Sequence, residues 1–148
     1  MIASFNIYGK DKWAIKITSL LAPGEASGEY DENNYDEAPP RLPWIIAEED
    51  GALRTKISST LLEGSNFATL HKGLDDLEGV TYGKGLVIGT GSLVRPTTTI
   101  GDFVYIGAGT IIDIDCIIED EVTIGDNVTI TEGSHIEKGS VIKSGTII

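Results

Sequence analysis

Basic residues, histidine and cysteine are the scarce components of this chain. It has 11 Lys and Arg against 23 Asp and Glu in 148 residues, for a net charge of -12. The acidic excess runs through both halves. Phosphate binding needs a basic surface, so a nucleic-acid partner is disfavoured, and an anionic membrane surface likewise. Any anionic ligand must be held by local donors. The single cysteine, Cys116, offers no intrachain disulfide, and it falls on an inward position of the pattern described next. It therefore reads as a buried small hydrophobe rather than a nucleophile. There is no apolar run long enough to span a bilayer. The segment Met1–Tyr8, where Asn6 and Tyr8 interrupt a short apolar stretch, lacks a signal-peptide pattern. A cytoplasmic location is the resulting expectation. Hydrophobic residues make up 41% of the chain, which suits one compact domain or two small ones.

What is present is a period of six. Aliphatic residues stand at Ile88, Val94, Ile100, Ile106, Ile112, Ile118, and onward in the same step to Ile148. Neither a helix nor a simple strand alternation has this period. A left-handed parallel β-helix does, with one hexad per flat face and three faces per coil. Four places after each aliphatic the residue is small or compact, as at Ser92, Thr98, Val104, Thr110 and Cys116, and both registers should point inward. Gly or an acidic residue often follows the aliphatic, as at Gly89, Gly101, Gly107 and Asp113, which suggests a corner there. With coils spaced about 4.8 Å apart, residues 88–148 form a little over three coils, a short prism roughly 16 Å tall within a β-helix domain read as residues 80–148.

Residues 1–72 read instead as a small α/β unit. Phe5 and Ile7 alternate into a strand ending at Tyr8-Gly9. Trp13, Ile17, Leu20 and Leu21 mark one face of a helix that stops near Pro23-Gly24. Glu25–Tyr30 is a candidate strand and Asp31–Arg41, with Pro39-Pro40, a loop. Pro43–Ala47 is a further strand. Leu53, Ile57 and Leu61, with Asp50 as a cap, give a second helix, and Phe67–Leu70 a fourth strand leading into the repeat. This order implies a parallel sheet. Such sheets bind ligands at the carboxyl ends of their strands, here Gly9–Lys12 and Asp31–Asn33. The alternative for those residues is a plain turn and a solvated loop.

The whole arrangement resembles the bacterial sugar acyltransferases typified by bacillosamine N-acetyltransferases and sialic-acid O-acetyltransferase-like proteins. Similar segments are Ile7-Tyr8-Gly9, Tyr30-Asp31-Glu32-Asn33, Phe67-Ala68-Thr69-Leu70, Ile100-Gly101-Asp102-Phe103-Val104 and, most specifically, Asp113-Ile114-Asp115-Cys116. The resemblance implies a Rossmann-like nucleotide-sugar domain joined to the β-helix. It implies acetyl transfer from acetyl-CoA to an amine or hydroxyl of a nucleotide-linked sugar, at clefts between subunits of a homotrimer. On this resemblance the substrate-binding residues are Gly9, Lys10, Asp31, Glu32 and Asn33, and those for acetyl-CoA are Thr123, Gly133 and Lys143. No metal is implied.

The family's base is a histidine, which can take the ammonium proton near neutral pH. Here that position is Ile114. The two histidines, His71 between the domains and His135 at an outward position, read as surface residues. Asp113 and Asp115 are the remaining catalytic candidates, given a raised pKa. Together with Glu119, Asp120 and Glu121 they also read as a solvated acidic corner, or as oxygen ligands for a cation such as calcium. Thr123 stands where relatives carry a second histidine, and Gly107 where they carry asparagine. Lys10-Asp11-Lys12-Trp13 would crowd a nucleotide sugar. Relatives normally continue past the position of Ile148 into a closing segment, so an open last coil is expected, covered by oligomer contacts or left by truncation. A catalytically silent homotrimeric scaffold is the second function class. Ice binding is poorly supported, because Thr97–Thr99 and Thr129/Thr131 share no single register. Carbonic anhydrase chemistry would need three zinc histidines.

Overall fold

The computed structural model describes residues 3–148, which leaves Met1 and Ile2, the start of the segment read for a leader, outside the description. The first strand, β1 (Phe5–Tyr8), leads into helix α1 (Asp11–Thr18), followed by β2 (Ala26–Tyr30), a short 3-10 turn at Tyr35–Glu37, β3 (Trp44–Ile46) and helix α2 (Gly51–Ser59). The three strands form a parallel sheet in the order β2-β1-β3. Burial explains the two helices. Trp13 and Ile17 of α1 and Ile57 of α2 are buried, while Asp50 caps α2 by accepting from Ala52 N at 2.9 Å. Leu53, expected on the packed face, is 38% exposed and lines a cleft instead.

The segment expected as a fourth strand divides. Phe67 bridges Trp44 in parallel, continuing the small sheet, while β4 (Leu70–His71) pairs with β6 (Val87–Ile88) of the repeat. The chain is thus stitched from one structure into the next. The remaining strands are β5 (Thr81–Tyr82), then after β6 come β7 (Leu93–Val94), β8 (Thr99–Ile100), β9 (Tyr105–Ile106), β10 (Ile111–Ile112), β11 (Ile117–Ile118), β12 (Thr123–Ile124), β13 (Thr129–Ile130), β14 (His135–Ile136) and β15 (Val141–Ile142). They stack in three parallel sheets, β13-β10-β7, β14-β11-β8-β5 and β15-β12-β9-β6-β4. Ile112 pairs with Val94 and Ile130, one coil away on either side. This stacking fits a left-handed parallel β-helix.

Both inward registers are inside. Ile88, Ile106, Ile112, Ile124 and Ile130 are fully buried, and the compact register with them at Thr110, Cys116, Val122 and Val128. Its hydroxyls satisfy the backbone between coils: Ser92 Oγ donates to Gly107 O at 2.6 Å and accepts from Thr110 N at 3.1 Å, and Thr110 Oγ1 repeats the pattern with Gly125 O and Val128 N. The interior opens at the last coil, where Ile142 is only partly buried and Ile148 is 40% exposed.

The corners fall elsewhere than expected. The left-handed backbone recurs three places after each aliphatic, at Gly91, Thr97, Phe103, Gly109, Asp115, Glu121 and Asn127. Where the residue directly after the aliphatic is glycine, the reason is another: a Cβ on Gly101 would lie 2.2 Å from Asp120 Oδ1 and 2.6 Å from Asp120 N of the next coil. Close approach of coils, not backbone bending, selects glycine there.

The α/β unit packs on the face formed by β6, β9 and β12. Ile7, Trp13 and Ile17 share a core with Val87 and Tyr105, and Trp44 and Ile57 share another with Phe103. Trp13 meets Tyr105 edge-on with centroids 4.7 Å apart.

Candidate functional site

A cleft of about 520 Å³ opens where β1, β2 and β3 end. Gly9, Lys10, Asp31 and Glu32 line it, as the sequence argument anticipated; Asn33 does not, and its amide instead donates to Asp31 Oδ1 at 2.9 Å. Gly9 is obligatory for a steric reason. Its φ is 141°, and a Cβ there would sit 2.4 Å from Ala47 O of the neighbouring strand. Residues missed by sequence reasoning complete the cleft: Glu48 and Glu49 after β3, Leu53 and Lys56 on α2, and Thr60 just past its end. Glu48 and Glu49 follow the apolar run Trp44–Ala47, so the strand-end rule would have found them had it been applied to the third strand.

The acidic pair lies elsewhere. Asp113 and Asp115 occupy the corner between the β7/β10/β13 and β5/β8/β11/β14 faces, away from the face that carries the α/β unit, and neither lines the cleft. Asp113 Oδ1 accepts from Ile114 N at 2.8 Å and lies 3.7 Å from Arg95 Nε. Asp115 is exposed with φ 57°, and its amide donates to Thr97 Oγ1 at 3.2 Å. Ile114 is half-buried between them. Exposed Ile111 and Ile117 flank the same corner.

Cys116 points inward with no exposure, and its thiol donates to Thr131 O at 3.3 Å; burial pushes the thiol pKa up, so the reactive thiolate is disfavoured. His71 contacts Asp75 O, and His135 Nε2 pairs with Glu119 Oε1 at 2.5 Å, which together with the Lys138 amide holds the Glu119 carboxyl below its usual range. Glu121 departs from the picture of an acidic solvated corner. It is 6% exposed, its Oε1 lies 3.5 Å from Lys138 Nζ, and its Oε2 has no hydrogen-bond partner among the described residues. The docking of α2 covers it: Gly51 packs so closely that a Cβ would reach within 1.8 Å of Glu121 O. Among the described residues no three His, Cys, Asp or Glu side chains gather as a metal site.

Of the three positions associated with acetyl-CoA, Thr123 and Lys143 share a small groove of about 150 Å³ between α1 and the last coils, with Trp13 and Glu49 as common walls to the main cleft; Gly133 sits on the opposite corner, its amide bonded to Ile114 O. Thr123 is 6% exposed and engaged: it accepts from Arg54 Nη2 at 2.9 Å and donates to Glu49 O at 3.2 Å. Among the described residues no helix is long and apolar enough to cross a membrane.

Neither a protein-family model nor a curated protein sequence matches this chain. Solved structures do match. The acetyltransferase domain of PglB from Neisseria gonorrhoeae, in complex with acetyl coenzyme A, superposes with a TM-score of 0.72 at 13% identity over 99% of this chain and 88% of that one. WeeI from Acinetobacter baumannii gives 0.70 at 17% identity over 100% and 92%. A mutant of GDP-perosamine N-acetyl transferase from Caulobacter crescentus, in complex with CoA and GDP-perosamine, gives 0.66 at 14% identity over 100% and 89%. The chain therefore shares the fold of sugar acetyltransferases along its whole length, in agreement with the resemblance read from its motifs.

Proposed function

We propose that this protein is an acyltransferase that moves an acetyl group from acetyl-CoA to an amine or hydroxyl of a sugar held in the strand-end cleft. The carrying observation is that cleft of about 520 Å³, open at the ends of all three parallel strands. The full-length likeness to acetyltransferases crystallised with acetyl-CoA or CoA supports the same reading. Residues 1–72 act as a Rossmann-like acceptor domain, with Gly9, Lys10, Asp31 and Glu32 on the substrate, and residues 80–148 act as a left-handed β-helix that holds the donor.

In the transfer, the acceptor nitrogen attacks the thioester carbonyl carbon, so a C–N bond forms and the C–S bond breaks. CoA leaves as the thiol once it has gained a proton, and the acceptor gives its proton to a base. Asp113 and Asp115 are the candidate bases, and they reach a cleft only if it belongs to a neighbouring copy. A homotrimer supplies that arrangement, and exposed Ile111 and Ile117 beside the acidic corner give such a contact apolar area.

One observation favours a second reading. Ile114, at the position of the family's histidine, has no lone pair, and a homotrimeric scaffold that binds ligands without chemistry would keep everything else. Titration with acetyl-CoA by calorimetry tests the donor half without a guess at the sugar. Micromolar binding is the expected result. No heat, and no competition by CoA, would sink the acyltransferase reading and leave the scaffold.

A further inference from the structure

Two cavities meet over one short segment of chain. The strand-end cleft and the small groove between α1 and the last coils share Trp13 and Glu49 as walls, while Thr123 lines the groove alone. The polar contacts that hold Glu48 and Glu49 against the repeat are unequal. Arg54 Nη1 donates to Glu48 O at 2.8 Å, and Arg54 Nη2 to Thr123 Oγ1 at 2.9 Å, both ordinary lengths. Glu49 O is held more loosely, by Arg54 Nη1 and by Thr123 Oγ1, each at 3.2 Å. For an O–H donor that is beyond the usual range, so the contact from Thr123 to Glu49 is the first to yield.

The Thr123 hydroxyl has one hydrogen to give, and Arg54 already occupies a lone pair on its oxygen. That hydrogen goes either to Glu49 O or to an acceptor in the groove, never to both. When it turns to a ligand, Glu49 O keeps only its contact with Arg54, and the wall shared with the cleft is free to shift. The exchange costs little, because a long bond is traded for one of normal length. A group with two positions, each making different contacts with two neighbouring sites, is what coupling between those sites requires.

We propose that Thr123 is a switch between the two cavities: a carbonyl oxygen of acetyl-CoA in the groove accepts its hydrogen bond, Glu49 is released, and the cleft wall at Glu48 and Glu49 rearranges. This rests on the acyl-transfer reading and adds how the donor half of the site sets the acceptor half. Arg54 acts as a positioning residue, since its guanidinium keeps Thr123 Oγ1 and Glu48 O in place while Glu49 O moves. The effect is reciprocal. A cleft ligand that favours the released wall leaves the Thr123 hydrogen available to the donor, so each ligand raises the affinity for the other.

The test is a titration of the full chain with acetyl-CoA, followed by backbone amide shifts in the wild type, Thr123→Val and Thr123→Ser. In the wild type, saturable shifts are expected at Gly125, Lys143 and Ser144 of the groove and, with the same midpoint, at Ala47, Glu48 and Leu53 of the cleft. Thr123→Val nearly keeps the shape and lacks the hydrogen. Its groove amides should still shift, with affinity lower by about tenfold or less for one lost hydrogen bond, and its cleft amides should stay still. Thr123→Ser returns the hydroxyl and should return the cleft shifts. Thr123→Ala replaces the valine variant if that side chain prevents folding. Wild-type groove shifts without cleft shifts, or cleft shifts that survive loss of the hydroxyl, would overturn the switch and leave acyl transfer standing. No saturable shift in either cavity would overturn the donor reading and the switch together.

Discussion

Arg54 Nη2 donates to Thr123 Oγ1 at 2.9 Å, joining the second helix of the α/β unit to a strand of the β-helix across 69 positions of sequence. The same guanidinium reaches Phe103 O at 2.9 Å, Val122 O at 3.1 Å, Glu48 O at 2.8 Å and Glu49 O at 3.2 Å, and it is 3% exposed. Its planar fork fits five acceptors that a lysine could not span. Glu48 and Glu49 form part of the cleft wall, so this side chain fixes the wall against the repeat. Arg54→Lys should therefore cost about 2–3 kcal/mol by leaving buried carbonyls without donors, and Arg54→Leu more. Denaturant titration measures the loss.

Burial also lowers the Arg54 pKa from its ordinary value to about 10, against opposing pulls from Asp50, Glu48 and Glu121. The group stays charged at neutral pH. Because the folded pKa lies below the unfolded one, the unfolded chain binds this proton more tightly, and the group's contribution disfavours folding at every pH below about 10. That penalty should shrink as pH rises from about 10 towards the ordinary arginine pKa. A comparison of wild type with Arg54→Leu over that range isolates it, and a gap between the two that stays constant with pH would contradict the assignment.

Ile114→His restores a titratable group at the half-buried corner between Asp113 and Asp115. General bases contribute about 10²–10⁴-fold, so release of CoA thiol from acetyl-CoA with an amino-sugar acceptor should rise at least 100-fold. The rate should increase with pH through about 6.5 as the imidazole loses its proton. An unchanged rate, with acetyl-CoA still bound, would mean that the surrounding pocket no longer supports transfer.

Thr110→Val removes a hydroxyl that both donates to Gly125 O at 2.8 Å and accepts from Val128 N at 3.2 Å inside the prism. The shape is nearly kept, so the cost is that of two buried backbone groups left unpaired, about 2 kcal/mol. Thermal unfolding should show it as a lower Tm with the oligomeric state unchanged. Ser92→Ala should behave alike, since Ser92 makes the equivalent pair of bonds one coil earlier.

Ile111 is 41% and Ile117 47% exposed, on either side of the Asp113–Cys116 corner. If copies of the chain meet there, each isoleucine contributes on the order of 1.5–3 kcal/mol to the contact. The double variant Ile111→Glu/Ile117→Glu should sediment as a monomer under conditions where the wild type is a trimer. A trimer that survives both charges would place the contact on another face.

The six-residue period determined the β-helix, because an inward side chain at every sixth position leaves the backbone few other ways to bury it. The order of short strands and amphipathic stretches likewise determined a parallel sheet and, through the strand-end rule, six of the cleft residues, Gly9–Lys12, Asp31 and Glu32. Local pattern carried that much. It misplaced the turns, because sequence shows that Gly101 is small without showing whether bending or a neighbouring coil requires it; contact with Asp120 of the next coil decides. Glu121 and Arg54 read as surface charges in any window of sequence, yet both are buried where α2 meets the β-helix. Only tertiary structure brings together groups as distant as Arg54 and Thr123. Periodicity fixes which way a side chain points, while burial and charge depend on which distant surface comes to cover it.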